Sequence, residues 1–245
     1  TDRLVAMDIL HQPERVIIEY NGMWLVSNFE KMQLPTGWGV EQQITCVDGS
    51  TFQMYMANMK SIFMDMIKNT DMVIFNRCKK EDPLPTYRRG IKVANQRAEV
   101  IFEDEEGELG DIFQDEMPFD MNAPVIEILP EDYGIWFVDA MDHPENYEGK
   151  TVKFKARVMK PRGMGSKFFV PGRTAMTCCA DDTTFLGYVC KSAYAPKLTP
   201  GEWVEVTAKV GIEKRNEYQG EEGIVLAAEH VEQCDPLEDE MVYFN

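Results

Sequence analysis

From residue 151 the chain alternates. "TVKFKARVM" sets Val152, Phe154, Ala156 and Val158 on one side of an extended backbone and Lys153, Lys155 and Arg157 on the other, the period of two that a half-buried strand requires. "EWVEVTAKVGI" does the same with Val204, Val206, Ala208 and Val210. "KFFVPGRTAMTCCA", "FLGYVCKSA" and "GIVLAAEHVEQ" are three further extended runs parted by turn residues. Five short strands spaced in this way predict a small closed barrel of the OB type, with the Trp203 strand beside the first. Ahead of them, in "PEDYGIWFVDAMDHPENYEGK", the period changes. Ile135, Trp136, Val138 and Met141 fall on or near one side of a short helix that His143–Pro144 ends.

Upstream, "RVIIEYNGMWLVSN" reads as two strands around an Asn21–Gly22 turn, and "TGWGVEQQITCVDGSTFQMYMA" as a second hairpin turning at Asp48–Gly49. Residues 58–69 place Met59, Ile62, Phe63, Met66 and Ile67 on one helical face, at a spacing that suits core packing, and "DMVIFNR" follows as a buried strand. "YRRGIK" reads as a solvated loop. Between the two patterns lies "FEDEEGELGDIFQDEMPFDMNAP", residues 102–124, an acidic stretch with two glycines and two prolines that predicts a solvated linker. The expected architecture is α+β and mostly β. It comprises a smaller α+β module over residues 1–101, the linker over 102–124, and a five-stranded OB-like barrel preceded by a helix over 125–245.

Composition narrows the classes of function. The net charge of −17 falls on both halves of the chain; such a chain repels phosphate backbones, so no nucleic-acid partner is expected. No apolar run approaches the roughly 18 residues of a membrane span. The chain opens "TDRLVAMDIL" without an initiator Met, so it reads as soluble as given, with membrane association in a longer form left open. Six cysteines (46, 78, 178, 179, 190 and 234) are too sparse for a disulfide framework. None forms a CxxC pair, and His11, His143 and His230 lie in separate segments, so a closed zinc site of ordinary spacing is not expected. No Ser or Cys has an evident base partner, and the chain reads as noncatalytic.

One cluster still carries possible chemistry. "RTAMTCCADD" brings Cys178, Cys179 and Asp181 together with Arg173 close by. On a regular strand the two thiols point to opposite faces, which favours packing for Cys178 and leaves Cys179 outward. If the strand ends at Asp181–Asp182, a thiolate and carboxylate site for a divalent metal becomes geometrically feasible, with Cys190 from the next strand as a helper. A redox pair is the third reading. Arg173 either pairs with a carboxylate or holds an anionic ligand with its fixed donor fork, so Arg173, Cys179 and Asp181 are the candidate ligand-binding residues. Otherwise no cofactor is expected. From Lys150 to Arg173 eight basic residues occur without an acidic one. OB barrels bind oligonucleotides across such a face, but the stacking aromatics are reduced to one of Phe168 and Phe169. A ladder with Glu205 on the Trp203 strand is the expected use of Lys153, Lys155 and Arg157.

Gly149, Lys150, Arg173, Cys178, Cys179, Asp181, Gly187, Trp203, Val204, Pro236 and Tyr243 occur in an order that resembles the C-terminal domain of the YcgQ-type, permease-associated bacterial membrane proteins, over about residues 125–245. The resemblance implies a binding or accessory domain, a membrane permease or envelope protein as partner, and no catalytic chemistry.

Overall fold

The computed structural model describes residues 2–110, 117–177 and 183–243. The chain divides into two compact units, Thr1–Phe113 and Gln114–Asn245.

In the first unit, strands β1 (Ile44–Asp48), β2 (Met72–Asn76) and β3 (Glu99–Phe102) form a parallel sheet in the order β1-β2-β3, with Ile44 opposite Met72 and Met72 opposite Glu99. Parallel neighbours need crossovers, which α3 (Phe52–Ile67) and α4 (Leu84–Ala94) supply. Both helices reach the same face. Phe75 of β2 stands 4.9 Å from Phe52 of α3, 5.8 Å from Tyr87 of α4 and 4.8 Å from Phe102 of β3, ring to ring. The opposite face carries Ile44, Cys46, Met72, Ile74 and Ile101; Ile44 and Cys46 are exposed and the other three half-buried. Helices α1 (Asp2–His11) and α2 (Val26–Glu30) precede the sheet and contain no buried residue.

Three expectations for this unit are corrected. The Asn21–Gly22 turn forms, with Asn21 Oδ1 accepting from Met23 N at 2.9 Å, but no strands flank it. Instead Tyr20 packs edge-on against Trp24 and Phe29, a local cluster that replaces a ladder. Asp48–Gly49 joins a strand to a helix and is no hairpin. The Asp48 carboxylate accepts from Ser50 N at 3.0 Å and Ser50 Oγ at 2.6 Å, capping a turn of 3₁₀ helix that runs into α3. A Cβ on Gly49 would lie 2.7 Å from Cys78 Sγ, so glycine is set there by the close approach of the loop after β2. "YRRGIK" lies inside α4, whose buried Leu84, Tyr87 and Ile91 recur at helical spacing. The acidic run begins by folding back on its own unit: Glu103 N donates to Phe75 O at 2.7 Å and Leu109 N to Phe102 O at 2.7 Å, around a turn tied by Asp104.

In the second unit, β5 (Thr151–Met159), β6 (Phe168–Met176), β8 (Val189–Lys191), β10 (Glu222–Gln233) and β9 (Trp203–Lys214) close a five-strand barrel in the order β5-β6-β8-β10-β9-β5. Every pairing is antiparallel except β8 with β10. As the alternation requires, β9 lies beside β5, with Phe154 opposite Val206 and both buried. Strands β4 (Ile126–Glu127), β7 (Thr183–Gly187) and β11 (Met241–Val242) flank the barrel.

"FLGYVCKSA" is two strands, not one. Gly187 pairs with Gly172 where neither backbone leaves room for a Cβ, and the chain then moves off the outer part of β6 to enter the barrel as β8. Tyr188, at the break, donates to Phe137 O at 2.5 Å. Phe137 belongs to α5 (Tyr133–Asp142), the helix expected ahead of the barrel, whose Tyr133, Trp136, Phe137, Val138 and Ala140 are all buried. Its apolar surface runs almost all round, so it is a core helix and not merely an amphipathic cover.

Candidate binding surface of the barrel

Cys178, Cys179 and Asp181 lie outside the described residues, between β6 and β7. The residue expected to help them is described. Cys190 is wholly buried on β8, and desolvation pushes its thiol up to about 12. A thiol that faces the core and holds its proton packs there as a small apolar side chain.

Arg173 is 2% exposed. Its Nη1 donates to Pro130 O, just ahead of α5, and its Nη2 donates to Asp239 O and Met241 O, both at 3.0 Å. The guanidinium carbon stands 5.6 Å from the Tyr133 ring centre. Burial lowers its pKa, which Tyr133, Asp239 and Glu131 partly offset. The fork therefore meets backbone carbonyls, and the carboxylate pair or bound anion expected from the sequence gives way to a clasp joining β6, the start of α5 and the C-terminal segment.

The remaining cations of the basic run are mostly spent inside the unit. Lys150 Nζ donates to Met121 O at 3.1 Å, Arg157 Nε to Gly201 O at 3.1 Å, and Lys160 Nζ to Ala195 O and Leu198 O at 2.6 Å each. Lys153 Nζ lies 2.8 Å from Glu205 Oε1, and that hydrogen bond together with the Glu205 charge raises its pKa. The expected ladder is thus one ion pair plus a backbone contact from Arg157.

Where an OB barrel binds its ligands, across the strand 2–3 face between two loops, this one has paired its own groups. Phe169 is buried and Phe168 faces outward. Arg215, from the loop between β9 and β10, lies over the Phe168 ring at 4.3 Å. Glu217 grips Arg215 through two bonds of 2.9 and 3.1 Å, and Glu213 stands 3.7 Å away. Glu217 foremost raises the Arg215 pKa. The aromatic needed for base stacking is covered by a cation that carboxylates already neutralise. Sequence reasoning missed this stack, whose only signal was an Arg-x-Glu run at the tip of the last hairpin.

Fold and surface together define a class: a closed, side-chain-filled five-strand barrel plugged by one helix, with Lys150, Lys153, Arg157, Lys160 and Arg173 of its basic run bonded within the unit. Residues 108–244, more than half of the chain, match the model of the DUF1980 C-terminal domain, a family of uncharacterised function. The chain belongs to that family. No curated protein matches it. Among solved structures it is similar to the mitochondrial single-stranded DNA binding protein Rim1 of S. cerevisiae, at 10% identity over 36% of this chain and 97% of that one, with a TM-score of 0.22. It is also similar to the aspartyl tRNA synthetase of Entamoeba histolytica, at 15% identity over 48% of this chain and 27% of that one, with a TM-score of 0.26. Likenesses this slight carry no argument about function.

Proposed function

We propose that the chain is a noncatalytic accessory module that binds another protein, and that its partner is a membrane permease or envelope protein. The observation that supports binding of protein rather than nucleic acid is the closed strand 2–3 face, where Arg215 covers Phe168 and Glu217 holds Arg215. Counterion release from phosphates needs free cations along a track, and Lys150, Lys153, Arg157, Lys160 and Arg173 are each engaged by the protein itself. The choice of a permease rests on the ordered residues from Gly149 to Tyr243 that resemble the permease-associated proteins.

Gene context followed by co-expression with any membrane permease found among the neighbouring genes, and purification in detergent, tests the reading. Retention of the chain on the permease near physiological salt supports it; elution of the chain alone overturns it. Single-stranded DNA binding at micromolar affinity with a steep salt slope would replace it with the nucleic-acid reading. The metal-binding alternative at Cys178, Cys179 and Asp181 is tested by metal analysis of tag-free protein. One equivalent of divalent metal, lost to a chelator together with joint protection of the two thiols, would establish it.

A further inference from the structure

Two residues of the C-terminal segment complete the ladder on one flank of β6. Met241 pairs with Thr174 and Val242 with Ala175, in parallel. The approach to this short strand is exposed from Asp235 to Glu240 except for half-buried Leu237. Val242 is buried, and the other attachment is Arg173, whose Nη2 takes the carbonyls of Asp239 and Met241. A buried cation is costly unless its donors are met, and the segment meets the Nη2 donors of a group that β6 carries permanently, while its buried Nε has no partner among the described residues. The same segment holds three consecutive exposed carboxylates, Glu238, Asp239 and Glu240, of which the Asp239 charge acts on that cation. A strand of two residues on an exposed tether belongs to the least stable part of a fold, and an uncovered sheet edge accepts an extended peptide through main-chain bonds.

We propose that the Arg173 flank of β6 is a docking slot for an acidic extended peptide of a partner protein, and that residues 235–243 are the resident occupant the partner displaces. The slot reads its peptide through three features present in the resident segment: an acidic run, two carbonyls placed on the Arg173 fork, and an apolar side chain in the place of Val242. Release of the resident segment uncovers Arg173, and only a segment that returns two acceptors restores its bonding. The proposal deepens the accessory-module reading by naming the chemistry of the partner segment.

The probe is a fluorescein-labelled peptide with the sequence of residues 235–243, titrated by anisotropy into the full chain. In the wild type the tethered occupant competes, and apparent affinity falls by the fraction of open slots. Val242→Asp, which expels the resident strand, is expected to tighten peptide binding by roughly tenfold or more. Adding Arg173→Lys, which keeps the charge and loses the fork, is expected to remove that gain, as is replacing the three acidic residues of the peptide by their amides. If Val242→Asp does not melt cooperatively, Val242→Ala gives the smaller change in the same direction. Equal peptide binding by wild type and both Val242 variants, or binding indifferent to Arg173→Lys, overturns the slot. A permease complex that persists under that result leaves the accessory role standing. Peptide exchange without a permease complex leaves the slot and removes the permease.

Discussion

At the scale of single residues, burial decides what each group does. Cys190 holds its proton up to about pH 12, while the unfolded chain releases it near the ordinary thiol value. Between those limits the folded state binds more protons, so stability falls as pH rises above about 9 and is independent of this group below it. Tyr133 and Tyr188, whose phenols burial also pushes up, add to the slope in the same direction at higher pH. Urea unfolding at about pH 8 and about pH 10 measures it, and Cys190→Ala is expected to shallow the decline. A thiol reagent at neutral pH should label exposed Cys46 in the native state and Cys78 and Cys190 only on unfolding. Strict alternation in β5 and β9 made the inward residues of those strands legible. The fate of Arg173 was not, because its acceptors lie at Pro130, Asp239 and Met241, and no local pattern connects carbonyls so far apart.

Elements were legible where one period ran long enough. The strands of nine and twelve residues declared themselves, and so did the helix ahead of the barrel. The first unit misled because its signals were local and two-valued. Asp48–Gly49 offers the same side-chain-to-backbone bond to a hairpin turn and to a helix start, and the decision came from Phe52 and Phe63 packing on the sheet. The plug helix carries a large energetic stake, with Tyr133, Trp136, Phe137, Val138 and Ala140 all buried. Trp136, 1% exposed and 4.8 Å from the Phe154 ring, is expected to cost about 3–5 kcal/mol when replaced by Ala, read from the denaturant midpoint. The β5–β9 ion pair has a smaller stake. A double-mutant cycle on Lys153 and Glu205, both partly exposed, is expected to yield roughly 0.2–1 kcal/mol, shrinking in high salt.

At the scale of the whole molecule, the division near Gln114 predicts that residues 114–245 expressed alone will melt cooperatively; a fragment without a cooperative transition would show that the barrel draws on the first unit for its core. The three-strand sheet has a consequence of another kind. All-parallel sheets are ordinarily covered on both faces, and this one has helices on the Phe75 side while Ile44 on the other is 47% exposed. The repulsion of a net charge of −17 opposes the sharing of that face between neighbouring molecules at pH 7. Close to the isoelectric point of about 4.6 that repulsion vanishes, and the sticky face should set a sharp solubility minimum. Light scattering across an acid titration would register it. Ile44→Thr, which leaves both charge and strand preference alone, should raise the protein concentration at which turbidity appears.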